Sequence, residues 1–412
     1  MTTSQTATTG FPAAMLVTSG VTTSGAIDMR NNIFQNGQTV GTQRYAIYSS
    51  AASTVYSNIN YNDYFAPVTG YNGTTEYANL AAWQGASAQD VNSVAVDPQY
   101  TSTTNLNLLA ASPLIGAGTT LAGVTNDYTN STRNSPPSIG AYEQKIVVSA
   151  RIFLHGAYSS GLARHKDVTA AWAAVLNANA LSQPYSIYGY AGTESVTAGF
   201  FTNTDPNGAA SDIVDWVLLD LRDANTPSTI ISQRAAFVRE DGLIVDLDGV
   251  SPVSFKGFNA GNYFITIRHR NHLGVRTATA QLVDGAVSPT AYDFSTAQTQ
   301  AYQDAAILAL PAPNNNNAMN VVGGKYVLWG GNGNSNTTTR ANGPLAQNDY
   351  LFLVTTTLAG NVTGQISNVY SRADYNMDGT VRANGPLAQN DYLFLITTTL
   401  AGSTTKIISQ HQ

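Results

Sequence analysis

One segment, RANGPLAQNDYLFL, stands at 340–353 and again, without a change, at 382–395. The match runs on as VTTTLAG and ITTTLAG, at a constant offset of about 42 residues. Coincidence does not produce such a match, so the C-terminal part of the chain is a duplicated module. Each copy ends in a helix-compatible run, and Asn348 or Asn390 stands where an N-cap is needed.

Upstream of the second copy stands DYNMDGTV, which places Asp374, Asn376 and Asp378 at alternate positions before Gly379. This is the D-x-N-x-D-G opening of a calcium loop: alternate side chains aim oxygens at one ion, and the glycine permits a sharp turn. Thr380 can add a backbone carbonyl, and Val381 is expected to anchor the loop in the core. Position twelve of a standard loop is Gly385 here, not an acid, and the next acid is Asp391. An insertion of about six residues is implied if Asp391 closes the site. The module resembles a dockerin-type or EF-hand-like repeat, and the resemblance implies Asp374, Asn376, Asp378, Thr380 and Asp391 as Ca2+ ligands. In the first copy the matching positions are Asn332, Asn334, Asn336 and Asp349, with Thr337 in place of the turn glycine. That site keeps a single carboxylate and is expected to be the weaker one. The plainer alternative is an Asn/Asp/Gly turn without metal.

Before the module lie two further compositional zones, with boundaries read at 1–145 and 146–300, and linker plus module at 301–412. In the first, AIDMRNNIFQNG and TQRYAIYSS read as strand followed by turn, roughly 20 residues apart, the spacing of stacked rungs in a parallel β-helix. TTEYANLAAWQ is helix-like, with Tyr77, Leu80 and Trp83 on one face. The run SVAVDPQY, LNLLAASPLIGAG, SPPSIGAYE resembles the closing segment of bacterial secreted β-helix proteins, with Ser112–Pro113 leading the last coil and Ile139–Ala141 ending it. In the second zone DIVDWVLLDLRD, RAAFVREDGLIVDLDG and GNYFITIRHRNHLGV read as strands, and Asp241–Gly242 marks a hairpin, so an antiparallel β-sandwich is expected. IVDWVLLDLRD, AAFVREDGLIVDLDG and IRHRNHLGV resemble a domain that follows β-helices in large exported proteins of some Gram-negative bacteria. PAPNNNNAMN reads as a surface loop or linker. The fold class expected is therefore mainly β: a short parallel β-helix, an antiparallel β-sandwich, and a small C-terminal calcium-loop module containing α-helix.

Composition narrows the function. Charged residues are 11% of 412, against a usual share of about 25%, and polarity comes from Thr, Ser, Asn and Gly instead. The net charge of −6 supplies no basic field for phosphates, so no nucleic-acid partner is expected. There is no cysteine, so a staple, if any, must be a bound metal. No apolar run approaches the roughly 18 residues that span a bilayer, and no transmembrane segment is expected. The first twenty residues lack the basic start and long apolar core of a signal peptide, which implies a removed signal or a piece of a longer protein.

Catalytic patterns are missing: no nucleophile elbow, no phosphate-cradling loop, and no metal spacing between His155 and His165. Asp63, Glu76, Asp90, Asp97 and Asp127 are scattered acids without a shared motif, with Asp127 expected in a closing loop. In RHRNH, a continuous strand would put Arg268, Arg270 and His272 on one face and His269 and Asn271 on the other. That segment is expected to pair with acids on neighbouring strands, and an anion site is the alternative. Tyr61, Tyr64, Phe65 and Tyr71 form an aromatic cluster expected to pack in a core or cap turns, with stacking on sugar rings or a protein interface as the alternative. The whole reads as a non-enzymatic extracellular or cell-surface structural protein of a bacterial surface layer, adhesive appendage or filament, calcium-stabilised and self-associating into a homo-oligomer or polymer. Residues 1–10 are expected to cap an end coil or add as a strand to a neighbour. The alternative is a β-helix protein that binds or degrades carbohydrate, with a surface glycan as its partner.

Overall fold

The computed structural model describes residues 10–39, 43–109, 111–129, 133–204, 210–258, 260–285 and 289–412. Residues 1–9 of the proposed terminal cap lie outside the described residues. The protein is mainly β. It divides into two compact units, 1–146 with 256–260, and 147–255 with 261–412. Among the described residues no helix is long and apolar enough to cross a membrane.

The first unit is built from short strands in parallel register. β1 (Ala13–Val17) lies beside β4 (Tyr45–Ser49), and β4 beside β7 (Val68–Tyr71). β2 (Ile27–Arg30) pairs with β5 (Tyr56–Asn60), and β3 (Ile33–Gln35) with β6 (Asp63–Phe65). The two segments read from sequence as neighbouring rungs, AIDMR and RYAIYSS, do not pair with each other. Each instead finds a partner further along the chain, because strands alike in inward pattern and turn chemistry stack, not those nearest in sequence. Asn32 and Asn62, in equivalent turns, show this: Asn32 donates from its amide nitrogen and from Nδ2 to Asn62 Oδ1, at 3.0 and 3.2 Å. Met29, Phe34, Ile47, Ile59 and Tyr64 fill the interior.

Helix α1 (Leu80–Ser87) starts three residues later than the apolar spacing suggested, since Asn79 caps it by accepting from Ala82 N at 3.0 Å. Tyr77 belongs to a strand, Glu76–Tyr77. The aromatic cluster also comes apart. Tyr64 is buried and donates to Asp90 Oδ2 at 2.8 Å, an oxygen shared with Trp83 Nε1, while Tyr71 stacks on Tyr48. Asp90 is thus a structural acceptor. Asp127 accepts from Thr129 N at 2.9 Å in its loop.

In the second unit the run IVDWVLLDLRD forms the central strand β8 (Ile213–Asp223), buried along nearly its whole length. Such a continuous apolar run belongs to a strand covered on both faces. It pairs antiparallel with β9 (Ile230–Arg239) on one side and β11 (Gly261–His269) on the other. β10 (Ile244–Val245) extends the sheet past β9, after a turn in which Gly242 takes φ 82°, and β12 (His272–Arg276) and β13 (Gln281–Val283) pair with β11. The expected partner sheet of a sandwich is not there: among the described residues, every other sheet in this unit is two-stranded. Helix α2 (Ala170–Asn179) covers β8 instead, with Trp172 Nε1 donating to Val214 O and Trp216 Nε1 to Ala180 O, at 2.8 and 2.7 Å. The Ala-rich segment AAWAAVLNAN favours helix over strand, which explains why the second layer is not a sheet.

RHRNH is not one strand. Arg270 and Asn271 form the tip of a hairpin, with His269 opposite His272. The ion pairing expected for it holds: Arg268 meets Asp220 at 2.9 Å and Arg270 meets Asp215 at 3.1 Å.

PAPNNNNAMN is no free linker. Asn314 Oδ1 accepts from Ile407 N at 2.8 Å, and Asn316 Oδ1 from Ser409 N at 2.8 Å. Asn316 Nδ2 returns a bond to Ser409 O at 2.8 Å, and its side chain is buried. Two amides at alternate positions therefore stand in for a strand along one edge of Ile407–Ser409. Asn316→Ala should destabilise the protein by about 2 kcal/mol, since a part-buried donor and a part-buried acceptor of Ser409 lose their partner together. Urea denaturation measures this. A change below about 0.5 kcal/mol, usual for a surface substitution, would restore the linker reading.

Candidate metal centre

The duplicated segment folds into two units that exchange strands. β14 (Thr338–Arg340) and β15 (Gln365–Ser367) flank the first helix, and β16 (Thr380–Arg382) and β17 (Ile407–Ser409) flank the second. Neither unit pairs its own two strands. β15 pairs with β16, and β17 with β14, all antiparallel, so each copy completes the other. The equivalent rings Tyr350 and Tyr392 meet at 4.8 Å, and Leu353, Leu358, Leu395 and Leu400 share one core with Val381. Asn348 and Asn390 cap the short helices as expected, accepting from Leu351 N and Leu393 N at 3.0 Å. Both helices then widen into π-turns, Phe352–Thr357 and Phe394–Thr399.

The loops before these helices share a frame. Asp391 accepts from Tyr375 N at 2.7 Å, Asn376 N at 3.4 Å and, with its other oxygen, Arg382 N at 2.9 Å. Asp349 accepts from Asn334 N at 3.3 Å and Arg340 N at 2.9 Å. The acid retained in both copies is therefore a clasp between loop and strand. Ser335 and Met377, at equivalent positions, both take positive φ, 60° and 56°. Gly379 does too, at 81°, whereas Thr337 does not appear in that region.

Charge separates the two loops. In the second, Asp374 accepts from Asp378 N at 3.0 Å and Gly379 N at 2.9 Å, and Asp378 accepts from Thr380 N at 2.8 Å. Asn376 Nδ2 donates to Asp378 Oδ2 at 3.1 Å. Burial, with the Asp378 charge adding to it and Arg270 opposing, pushes the Asp374 carboxyl up to about 7. Burial and the charge of Asp374 push Asp391 well above the usual range. The fold thus brings Asp374, Asn376, Asp378 and Asp391 to one place, while Thr380 opens β16 opposite Ser367. Among the described residues no three acidic, His or Cys side chains are grouped so as to hold a metal ion. All the donors gathered here are oxygens, however, and three are carboxylates that repel one another, so the set suits a hard dication.

In the first loop Asn332 Nδ2 donates to Asn336 O at 2.7 Å, Asn334 Oδ1 accepts from Asn336 N at 3.2 Å, and Asn336 Oδ1 accepts from Thr338 N at 2.7 Å. Asn332 Oδ1 and Asn334 Nδ2 are buried without a partner. Asp349 is its lone carboxylate, pushed up to about 8 by burial.

Sequence reasoning missed what holds both loops together. Asn271, at the hairpin tip, accepts from Asn332 N through its carbonyl at 3.0 Å and donates Nδ2 to Asp374 O at 2.6 Å. Positions 332 and 374 are equivalent, so one residue grips the start of each loop. Arg270 donates to Ser371 O and lies 4.3 Å from the Tyr370 ring centroid, and Ser335 Oγ donates to Arg270 O at 3.4 Å. Behind the tip, Asp215 accepts from His269 Nε2 at 3.1 Å, from Arg270 Nε at 3.1 Å and from the Tyr370 hydroxyl. An acid inside the apolar run IVDWVLLDLRD was the available signal.

Four histidines are locked as neutral rings. Gly156 N donates to His272 Nε2 at 3.2 Å, and Leu154 N donates to His165 Nε2 at 2.8 Å. His165 Nδ1 then donates to Arg239 O at 2.8 Å, and His272 Nδ1 faces His269 Nδ1 at 2.9 Å, which leaves His269 Nε2 to donate to Asp215. His155 is buried beside Asn320. Burial holds His155 and His165 down to about 4, and lowers His269 and His272 as well.

No protein-family model, no curated protein and no solved structure matches the chain.

Two outcomes follow from this geometry. Asp349→Ala should cost about 2–4 kcal/mol, because buried backbone donors lose their acceptor, and the loss should be the same in calcium and in chelator. A calcium-dependent loss in denaturant titrations would make Asp349 a ligand as well as a clasp. For the histidines, a folded pKa below the unfolded value of about 6.5 means that the folded state binds fewer protons. Their contribution is complete above pH 6.5 and is lost as pH falls from there towards about 4, on the order of 3 kcal/mol for each of His155 and His165. Ring NMR should show both neutral to below pH 5 in the folded protein. Rings that titrate near 6.5 while the fold is intact would refute the assignment.

Proposed function

We propose that the chain is an extracellular structural protein of a bacterial surface layer, adhesive appendage or filament, stabilised by calcium at its second loop and self-associating. The observation that carries this is the convergence of three carboxylates and an asparagine, all oxygen donors, in a module whose two copies close only on each other. Asp374, Asn376, Asp378, the Thr380 carbonyl and Asp391 would hold the ion. A hard dication there supplies positive charge that neutralises their mutual repulsion, and in a chain without cysteine it acts as the staple. Asn271 and the Asp391 clasp position the loop for it.

The parallel stacks of the first unit support reading it as the closing coils of a parallel β-helix. β1 ends its stack, with no strand beyond it among the described residues. Self-association would use a strand edge of this kind, which can pair with another chain. The histidines favour a structural role over catalysis, because every ring nitrogen of His165, His269 and His272 is already committed.

A second reading, carbohydrate binding or breakdown, is favoured by two observations. Tyr48 and Tyr71, on neighbouring parallel strands, stack at 4.5 Å, and Phe11, just before β1, stacks on Tyr48 at 6.2 Å, a ladder on which sugar rings can lie. Asp63, fully buried with Oδ2 unpaired, is pushed up to about 7 by burial with the Asp97 charge adding to it, and Asp97 lines a cavity of about 410 Å³ with Tyr100.

Calorimetric titration should find one calcium site that fills at millimolar calcium, with the first loop weaker or silent. Calcium at 100 times the dissociation constant would stabilise the fold by about 2.7 kcal/mol, and chelation should lower the melting temperature. Asp378→Asn should remove most of that dependence, and Asn334→Ala little of it. Two equal sites, or none, would overturn the calcium assignment. Sedimentation at high concentration with calcium should show association. A strict monomer that binds oligosaccharide, and loses it in Tyr48→Ala, would give the second reading precedence.

A further inference from the structure

We propose that Lys166 is a resident counter-ion of the second loop, which calcium displaces when it binds. The proposal rests on the calcium reading and adds a residue that the loop motif does not contain. Lys166 lies outside the duplicated module, just before helix α2, yet its ammonium donates to Gly156 O at 2.9 Å and to Asn376 O at 3.4 Å. Asn376 is the middle residue of the ligand run. Although the residue as a whole is exposed, its ammonium is bound to these two carbonyls.

The backbone around it is built for this approach. A Cβ on Gly156 would stand 2.2 Å from Tyr375 O, so only glycine lets the 155–157 turn lie against the loop. Lys166 and Asp378 line the same cavity of about 250 Å³, walled by Trp172, Val168 and Met377. Arg270 also acts on Asp374, but its guanidinium is bound to Asp215 and Ser371. Arg382 also acts on Asp378, but its guanidinium is bound to Gln389, so of these three cations Lys166 is the one beside an open cavity. Burial lowers its proton affinity, while Asp378 and Asp374 hold it up. Without calcium, the ammonium offsets part of the carboxylate charge and keeps the loop folded. Calcium brings two positive charges to the carboxylates beside those carbonyls and repels the ammonium, which can swing into the cavity and out to solvent. Lys166 thus raises the calcium concentration at which the site fills and lowers the dependence of the fold on it.

The test is calorimetric titration of calcium into the full chain, stripped with chelator, at neutral pH. Wild type, Lys166→Gln and Lys166→Arg are compared, with Asp378→Asn to place the heat in the second loop. Lys166→Gln keeps a donor for the carbonyls and loses the charge. It should bind calcium about tenfold more tightly and melt at a lower temperature in chelator, while Lys166→Arg stays near wild type. Calcium binding by Lys166→Gln alone would also support the proposal, with the ammonium then filling the wild-type site. Wild type and Lys166→Gln binding within twofold of each other would overturn the proposal and leave the calcium reading intact. An Arg variant as tight as the Gln variant would overturn it too, by showing that the charge is irrelevant. Absence of binding in all of them would overturn both.

Discussion

The grip of one hairpin tip on two loops is the contact on which the second unit depends. Asn271 carries a carbonyl and a side-chain amide that reach the first residue of each loop, Asn332 and Asp374. That is possible only because the duplicated halves are related by a near-twofold exchange of strands, which brings equivalent positions to one place. The tip in turn is held by Asp215, a fully buried carboxylate shared by His269, Arg270 and Tyr370. A buried charge of this kind is costly alone, and removing one partner of such a network typically costs 3–5 kcal/mol. Its value is geometric: it sets the register between the large sheet and the module.

The duplication conserves a backbone and lets the charge drift. Asp349 and Asp391, the Asn caps and the π-turns recur in both copies because each satisfies backbone groups that any sequence on this frame must satisfy, and Ser335 and Met377 repeat one positive-φ turn. Asp374 and Asp378 have no counterparts in charge, only in shape, as Asn332 and Asn336. A single crossing contact adds to the asymmetry: Tyr375 donates to Asp349 O at 2.8 Å, from a position that is Gly333 in the first copy. The two halves are therefore alike where folding needs them alike, and different where a cation would be felt.

The errors of the sequence reading share a cause. RHRNH alternates like a strand, but His269 and His272 turn out to face each other across a two-residue tip, since Asn271 must reach forward to the loops. PAPNNNNAMN has the composition of a linker, yet Asn314 and Asn316 pair with β17 through amides that imitate a strand edge. AIDMR and RYAIYSS looked like neighbouring rungs because they are near in sequence and similar in pattern. Tyr64 and Tyr71, close in sequence, serve a core and an outer face. In each case a local pattern was correct about residue type and silent about the distant partner.

What the chain's own order determined was local and chemical. The repeat of RANGPLAQNDYLFL announced two like units, D-x-N-x-D-G placed Asp374, Asn376 and Asp378 in one turn, and Asp241–Gly242 marked a hairpin, because capping, turn formation and alternation act over a few residues. Tertiary structure alone decided that the units exchange strands, that Asp391 returns to clasp the loop across the intervening turn, and that Arg270, Asn271 and Lys166 converge on it from outside the module. Those contacts join residues far apart in the chain, whose meeting is set by how whole faces bury their apolar area, and no short motif carries that information.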